Sequence, residues 1–351
     1  MWTENYIFQE DLQNIIDDKN IPWEKLNGKN ILVTGATGLI GMNIIYALLH
    51  YAKNKNTVLT IWALVRNIEK AEKAFIPDQN LHFLVADVCE EYSYPENIDY
   101  IIHCASQTAS LSFVNRPVET LNTAITGTWR MLCLANQRKI KSMVYISSME
   151  VYGTPEKGHE VKETEVGSFD PAITRNSYPI GKIAAESLCF AFCKEYGVPV
   201  SSIRLTQTFG PGVSWDDKRV FAEFMRCALE DKDIVLKTKG ETERCYLYTA
   251  DAVRGILTVL LKGESGEAYT IANESTYCSI AEMAETALKT LGKNRSSLCF
   301  DLDDTHEYGY AGTLYMKLNT EKIRSLGWKP KVNLADMYSR MAEVACSAKD
   351  K

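Results

Sequence analysis

The sequence lacks the features that mark membrane, nucleic-acid-binding and metal-binding proteins. No apolar run among its 351 residues is long enough for a membrane span, and its 5 histidines show no paired ligand spacing. Basic residues are not in excess, since 39 Lys and Arg stand against 45 Asp and Glu. We therefore expect no membrane, nucleic-acid or metal partner, and an anionic ligand would need local basic residues.

A secretory signal and disulfide bonds are also not expected. The N-terminus is acidic and has no basic lead before an apolar core. None of the 10 cysteines forms a Cys-x-x-Cys pair, and Cys104, Cys133 and Cys189 lie within apolar helix or strand patterns. The sequence predicts reduced thiols and a cytoplasmic location.

Apolar runs alternate with helical patterns along the first two thirds of the chain. Residues 30–35, 57–65, 142–148 and 198–205 are typical of buried strands, and residues 38–50 of a helix. Each parallel crossover needs a helix, so the alternation predicts an α/β fold with a doubly wound parallel sheet.

The length and the change of pattern along the chain predict three regions. Residues 1–28 form an N-terminal helical extension, and residues 29–206 form the main domain. Residues 207–351 form a smaller mixed α/β region, within which residues 246–262 are expected to return to the main domain.

A glycine-rich turn follows the first predicted strand, in VTGATGLIG. Without side chains, the backbone can turn tightly and approach a pyrophosphate at the positive end of the next helix. This context predicts a Rossmann-type dinucleotide-binding domain, with a glycine-rich turn that binds no ligand as the alternative. The predicted cofactor contacts are Gly35, Thr37, Gly38, Leu39, Ile40 and Gly41.

A tyrosine and a lysine stand four residues apart at the start of another predicted helix. In SYPIGK, Tyr178 and Lys182 share one helical face. A lysine ammonium near a phenol lowers the phenol pKa, so the tyrosine can exchange a proton as hydride moves. A serine hydroxyl from SSMEVYG, which ends a predicted strand, can steady the reacting oxygen. The spacing alone also fits a surface helix pair, but the other two motifs favour catalysis.

As an ordered set, these motifs resemble those of the extended short-chain dehydrogenase/reductase family. Its members include nucleotide-sugar epimerases, dehydratases, decarboxylases and reductases, and the resemblance covers nearly the whole chain. It rests on TGATGLIG, ADV at 86–88, HCAS at 103–106, SSMEVYG, YPIGK, RLTQTFGPG at 204–212, RCYLYTADAVRG at 244–255 and LGWKP at 326–330.

The resemblance implies catalytic roles for three residues. Tyr178 is the acid/base, Lys182 lowers its pKa and holds the nicotinamide ribose, and Ser148 is the catalytic hydroxyl. It also implies a nucleotide-diphosphate sugar as substrate, bound mainly by residues 207–351, and a homodimer formed through a helix bundle.

The resemblance extends to binding residues. Asp87 and Val88 match the pair that contacts adenine, Ala105 and Ser106 border the cofactor, and Arg244 matches an arginine that grips the substrate diphosphate.

Glu150 lies where the family's dehydratases and glucuronate decarboxylases carry a glutamate near the sugar ring. Such a carboxylate either removes a proton next to a transient ketone or binds a sugar hydroxyl, and both roles stay open. Met149 stands where 4,6-dehydratases have an aspartate that protonates the leaving hydroxyl, so the resemblance disfavours that activity.

Several positions depart from the family pattern. Arg66 replaces the acidic residue that binds the adenosine ribose of NAD, and it favours NADP over NAD, with a solvated arginine as the alternative. Ala124 and Gln207 replace asparagines, and Gln207 is expected near the diphosphate. Arg219 is a candidate substrate ligand or a charged loop residue.

The resemblance and the residues together predict an NAD(P)-dependent enzyme that transfers hydride at a carbinol or carbonyl carbon of a nucleotide sugar. A redox-neutral epimerase, dehydratase or decarboxylase is the usual activity of the family. Arg66 and the altered pocket keep open an NADPH-dependent reductase of a nucleotide-linked keto-sugar or ketose. A non-catalytic dinucleotide-binding sensor is a third alternative, against which the intact Ser148, Tyr178 and Lys182 speak.

Overall fold

The computed structural model describes residues 2–293, 295–302 and 313–349. The strands are β1 (Lys29–Thr34), β2 (Leu59–Val65), β3 (Leu81–Val85), β4 (Tyr100–His103), β5 (Ser142–Ser148), β6 (Glu160–Val161), β7 (Val200–Leu205), β8 (Gln207–Phe209), β9 (Ile234–Leu236), β10 (Glu243–Tyr248), β11 (Ala268–Ile271), β12 (Asn273–Ser279), β13 (Leu298–Phe300) and β14 (Tyr315–Leu318). The α-helices are α1 (Tyr6–Ile16), α2 (Leu39–Lys55), α3 (Ile68–Ala74), α4 (Ser110–Asn115), α5 (Pro117–Arg138), α6 (Ser177–Tyr196), α7 (Val220–Leu229), α8 (Thr249–Lys262), α9 (Ile280–Leu291), α10 (Glu321–Ser325) and α11 (Leu334–Lys349).

A seven-stranded sheet forms the main domain, in the order β11-β7-β5-β4-β1-β2-β3. Every neighbouring pair in it is parallel. The strand order reverses between β1 and β4, and ligands of open α/β sheets bind at the carboxyl edge beside such a reversal. The predicted Rossmann-type doubly wound fold is confirmed.

Alternation along β1 explains why helices cover both faces of this sheet. Ile31 and Val33 belong to the core that α1, α2 and α8 share. Leu32 points the other way, into the core formed with α5 and α6. A strand buried on both faces requires a continuous apolar run, which is what the sequence ILV at 31–33 supplies.

The N-terminal extension is helical and is tied to the far end of the chain. The Asn5 side chain caps α1 by accepting a hydrogen bond from the Ile7 amide at 2.9 Å. Farther along α1, Asp11 accepts a hydrogen bond from the Tyr248 hydroxyl at 2.5 Å and pairs with Arg340 at 2.7 Å. Burial raises the pKa of Asp11 to about 6 against the opposing effect of these two partners. This cluster joins α1 to β10 and α11.

A smaller mixed region is formed mainly by residues beyond β7, together with β6. Strands β12, β10, β14 and β6 form a second sheet, β8 pairs with β10, and β9 pairs with β13. Helix α8 nevertheless packs against α2, β5 and β7, and β11 is an edge strand of the main sheet. The division at residues 28/29 and 206/207 stays a prediction, and the chain crosses between the two parts more than once.

Candidate functional site at the carboxyl edge of the main sheet

The glycine turn brings the backbone of β1 against the end of β4. Gly35 has φ +63°, and a Cβ there would lie 2.8 Å from the Ala105 amide nitrogen. A Cβ on Gly41 would lie 2.5 Å from the Gly35 carbonyl oxygen. Gly38 caps α2 without using a side chain, and its amide donates to the Gly35 carbonyl at 2.9 Å. A side chain at Gly35 or Gly41 would therefore clash with backbone, and the turn leads directly into the N-terminus of a 17-residue helix.

Below the turn, a buried hydrogen-bond chain fixes the two strand ends together. Thr34 Oγ1 lies 2.7 Å from His103 Nδ1 and accepts a hydrogen bond from the Ala105 amide at 3.1 Å. His103 Nε2 lies 3.2 Å from Thr128 Oγ1 on α5. Burial, aided by the charge of Lys182, lowers the pKa of His103 to about 3, so the ring is neutral. The sequence pattern did not single out His103, whose role depends on a partner 69 residues away.

The residues predicted to hold the adenosine half lie at the ends of β2 and β3. Arg66 Nη1 lies 3.9 Å from Asp87 Oδ2 and 3.7 Å from Glu119 Oε1. Val88 is buried against Gly127, where an added Cβ would lie only 2.9 Å from Val88 Cγ1. The structure therefore brings Arg66 and Asp87 together and gives the arginine two carboxylate neighbours.

Ser148, Tyr178 and Lys182 converge from two elements. Ser148 ends β5, next to β4 in the sheet, and its hydroxyl accepts a hydrogen bond from the Glu150 amide at 3.2 Å. Tyr178 and Lys182 lie in the first turns of α6. Lys182 is buried, and its ammonium lies 5.7 Å from the centre of the Tyr178 ring. Burial raises the pKa of Tyr178, and a hydrogen bond with Ser148 opposes part of that rise.

The pKa of Tyr178 is raised in the protein by itself, and its lowering by Lys182 in the complex with the cofactor stays a prediction. Removal of the phenol from water raises its pKa well above the ordinary value, and the charge of Glu150 raises it further. The Lys182 ammonium donates to the Ile146 carbonyl at 2.6 Å. Burial lowers the pKa of Lys182 itself to about 8.

Glu150 has a partner that the motifs did not predict. Its Oε2 accepts a hydrogen bond from Arg175 Nη1 at 2.7 Å. The Arg175 guanidinium lies 5.4 Å from the ring centre of Phe113, and the same ring stacks on Tyr178 at 4.2 Å and 10°. Arg175 and Phe113 lie outside the sequence motifs. The sequence shows only that an arginine stands three residues before Tyr178, and it does not show that this arginine contacts Glu150.

On the substrate-facing side, Gln207 and Arg244 lie on paired strands. β8 and β10 run in parallel, with Gln207 opposite Tyr246, two residues beyond Arg244. Gln207 Oε1 and Arg244 Nε are buried, and neither has a hydrogen-bond partner in the described ranges. Buried polar atoms normally have partners, so each of these two atoms can accept or donate a further hydrogen bond. Arg219 differs, because its guanidinium is already held by Asp217 at 2.6 Å.

Packing explains two departures from the family pattern. Ala124 is buried where α5 crosses α6, and a Cβ on Gly181 would lie 3.1 Å from the Ala124 Cβ. The small side chain at 124 is in keeping with this close crossing of the two helices. Met149 is also buried, and its sulfur accepts a hydrogen bond from the Thr206 hydroxyl at 3.1 Å.

Residues 2–293, 295–302 and 313–349 show neither a metal-binding cluster nor a membrane-spanning helix. They contain no group of three or more His, Cys, Asp or Glu side chains that could hold a metal ion. No helix in them combines the length and apolar character needed to cross a membrane.

Comparison with known proteins gives matches along most of the chain. The human dTDP-D-glucose 4,6-dehydratase is 28% identical over 326 residues, which is 89% of each chain. UDP-glucuronic acid decarboxylase 6 of Arabidopsis thaliana is 28% identical over 316 residues, or 89% of this chain and 88% of its own.

Among solved structures, an epimerase from Methanothermobacter thermautotrophicus has a TM-score of 0.79 at 20% identity, covering 98% of this chain and 97% of its own. The dTDP-glucose 4,6-dehydratase of Bacillus anthracis, solved in complex with NAD, has a TM-score of 0.73 at 22% identity, covering 92% of this chain and 98% of its own. These two structures share the fold.

A sequence model of the NAD dependent epimerase/dehydratase family matches residues 31–272, from β1 through the glycine turn, Ser148, Tyr178 and Lys182 to the end of β11. Because this match spans more than half of the chain and includes the whole carboxyl-edge site, the chain belongs to the NAD dependent epimerase/dehydratase family.

Proposed function

We propose that the protein is an NAD(P)-dependent enzyme that transfers hydride at a carbinol or carbonyl carbon of a nucleotide-diphosphate sugar. The observation that carries this proposal is the convergence of Ser148, Tyr178 and Lys182 beside the glycine turn, at the strand-order reversal of the sheet. The curated relatives act on nucleotide sugars by name, which supports the substrate class.

The glycine turn fits the pyrophosphate of the cofactor. A Cβ on Gly35 or Gly41 would meet backbone atoms within 3 Å, so the cradle is kept free of side chains at the N-terminus of α2. We assign Thr37, Leu39 and Ile40 to the same cradle, Asp87 and Val88 to the adenine side, and Ala105 and Ser106 to the middle of the cofactor. When bound, the nicotinamide accepts or donates the hydride and, in its oxidised form, adds a positive charge that favours a nearby phenolate.

Tyr178 exchanges the proton in this proposal. Its phenolate takes the substrate hydroxyl proton as hydride leaves the same carbon, and the phenol returns a proton in the reverse direction. Ser148 orients that oxygen. Because the protein alone raises the pKa of Tyr178, positive charge must come close to the phenol in the working complex. The Lys182 ammonium, 5.7 Å from the ring, is the residue placed to contribute it.

For the substrate, we assign the diphosphate to Arg244 and Gln207. A guanidinium with an unpartnered buried Nε can donate to phosphate oxygens without giving up an existing hydrogen bond. Arg219 is a weaker candidate, since binding through its guanidinium competes with Asp217.

The reaction that we favour is redox-neutral, of the epimerase, dehydratase or decarboxylase type. Met149 carries no proton that it could give to a leaving hydroxyl, which speaks against 4,6-dehydration despite the similarity to such enzymes. Glu150 lies close enough to act on Tyr178 electrostatically and stays a candidate for base or sugar-hydroxyl ligand.

An NADPH-dependent reductase is the second candidate, and Arg66 is the residue that favours it. Its guanidinium is exposed after β2 and can pair with a 2'-phosphate. Asp87 and Glu119 lie within 4 Å of it and act against a bound phosphate, so NADP is preferred only if the arginine turns away from them.

We further propose a homodimer through α4, α5 and α6. Val118, Ile125 and Trp129 are exposed apolar residues along α5, and Leu111 on α4 and Tyr196 on α6 are also exposed. Positions 118, 125 and 129 recur at helical spacing, so they share a face. An apolar face of this kind is typical of an interface.

We also propose a cytoplasmic location. All 10 cysteines are free, and Cys189 and Cys245 are buried. This agrees with a reducing compartment.

Incubation of the nicotinamide-loaded protein with UDP-glucose, UDP-glucuronate and dTDP-glucose tests the function, with nicotinamide absorbance and product mass as readouts. We expect at least one of the three to reduce the cofactor transiently and to be converted. Conversion of none of them, together with a Tyr178→Phe variant that keeps the full cellular activity of the wild type, would favour the sensor.

A further inference from the structure

Arg175 and Glu150 form an ion pair between two short 3-10 helices, Met149–Tyr152 and Thr174–Asn176. Arg175 Nη1 donates to Glu150 Oε2 at 2.7 Å, and the two side chains are 33% and 28% exposed. Within the described ranges, Glu150 Oε1 accepts no hydrogen bond. One carboxylate oxygen is therefore held by the arginine, and the other is available.

The pair lies beside the reacting tyrosine. Phe113 is buried and stacks on Tyr178, and the Arg175 guanidinium lies 5.4 Å from the centre of the Phe113 ring. The two charges act on Tyr178 in opposite directions, since Glu150 raises its pKa and Arg175 lowers it. A half-exposed ion pair contributes only about 0 to 1 kcal/mol to stability, so stability alone is a weak reason for this arrangement.

On the basis of the proposed function, we propose that Arg175 is a positioning residue for Glu150. It fixes the carboxylate in one orientation next to Tyr178 and presents Oε1 to a sugar hydroxyl or to a proton on the neighbouring carbon. It also balances the negative charge of Glu150 beside the phenol. Loss of Arg175 frees the carboxylate to rotate and leaves its charge unopposed.

The kinetic test compares Arg175→Gln, Arg175→Lys, Glu150→Gln and the double variant Glu150→Gln/Arg175→Gln in nicotinamide-loaded protein. Arg324→Gln is the matched control, because Arg324 Nη2 contacts Glu274 Oε2 at 3.0 Å with 38% and 39% exposure, outside the site. Single-turnover reduction of the cofactor is followed over pH with UDP-glucose, UDP-glucuronate and dTDP-glucose.

We expect Arg175→Gln to slow hydride transfer by about tenfold, the equivalent of one charge-assisted hydrogen bond, with a smaller change in KM. Arg175→Lys restores most of the rate. Arg175→Gln slows the reaction much less in the Glu150→Gln background than in the wild type, because the arginine acts mainly through the carboxylate. Sugar oxidation speeds up as Tyr178 ionises, so that rise moves to higher pH in Arg175→Gln and to lower pH in Glu150→Gln. Arg324→Gln matches the wild type.

A second readout does not require turnover. In protein labelled with fluorotyrosine, the fluorine NMR signal of residue 178 is assigned by its loss in Tyr178→Phe. We expect Arg175→Gln to shift this signal in the wild-type background and to shift it much less in the Glu150→Gln background. Arg324→Gln leaves it in place.

The outcomes separate the two proposals. If the wild type reduces its cofactor and Arg175→Gln matches it in rate and pH profile, the inference on Arg175 fails and the proposed function stands. Additive effects in the double variant also overturn the inference. If no sugar nucleotide reduces the cofactor, the proposed function fails, and the fluorine signal still decides whether Arg175 acts on Tyr178 through Glu150.

Discussion

The carboxyl edge has a proposed cofactor side around the glycine turn and a proposed substrate side around Glu150, Arg175 and Arg244, and the two sides are built differently. On the cofactor side, Gly35 and Gly41 leave no room for side chains, and Thr34 and His103 satisfy each other below the turn. On the substrate side, Arg244 Nε has no hydrogen-bond partner in the described ranges, and Glu150 and Arg175 are partly exposed charges.

The difference indicates which part of the proposed activity is common to dinucleotide-binding proteins and which is particular to this chain. A backbone cradle recognises a pyrophosphate common to every dinucleotide. Side chains with open hydrogen bonds recognise one substrate, and they can change while the fold stays the same. Each substitution below affects one of the two sides, except Tyr178→Phe, which affects the reacting group between them.

Tyr178→Phe removes the proton carrier that both sides share. We expect hydride transfer to fall by about 10² to 10⁴-fold, because general acid–base catalysis is lost. The ring still stacks on Phe113, so thermal unfolding stays close to that of the wild type. Single-turnover kinetics and a melting curve measure both, and a rate near the wild-type value would contradict the assignment.

Gly41→Ala is expected to disturb the glycine turn and to leave the proposed substrate residues unchanged. The new Cβ would lie 2.5 Å from the Gly35 carbonyl oxygen, so the turn must shift. We expect the free energy of unfolding to fall by about 1 to 3 kcal/mol and NADH binding to weaken. Gly38→Ala is the matched comparison, because its Cβ would meet the same oxygen at 3.2 Å. Equal effects in the two variants would contradict a steric cause.

Arg244→Met removes the guanidinium that we assign to the substrate diphosphate and leaves the glycine turn unchanged. A charge-assisted hydrogen bond contributes about 1.5 to 3 kcal/mol, so we expect UDP or dTDP to bind about 10 to 100 times more weakly by calorimetry. NADH binding should not change. Arg219→Met should have a smaller effect, since its guanidinium is held by Asp217. A larger loss in Arg219→Met would reverse the assignment of the diphosphate.

Arg66→Ala tests whether the proposed cofactor side prefers NADPH over NADH. If Arg66 binds a 2'-phosphate, the Kd of NADPH rises by about tenfold and that of NADH stays the same. Equal small changes for both would show that Arg66 serves only its contacts with Asp87 and Glu119.

The sequence predicts the local parts of the candidate site and misses contacts between distant residues, for a physical reason. The glycine turn and the Tyr178–Lys182 spacing are local, since each depends on one strand–helix junction or one helical face. The contact of Arg175 with Glu150 spans 25 residues and that of His103 with Thr34 spans 69, so both require the folded chain. The pKa of Tyr178 is raised for the same reason, because tertiary packing removes the phenol from water and places Glu150 near it.

The most direct test of the account is to denature the freshly purified protein, identify any released nucleotide by mass and ultraviolet absorbance, and titrate the native protein with NADH and NADPH. The account predicts either bound NAD(P) in near-stoichiometric amount or saturable binding of at least one dinucleotide, lost or weakened in Gly41→Ala. Protein that releases no nucleotide and binds neither NADH nor NADPH would contradict the assignment of the glycine turn and of the chemistry beside it.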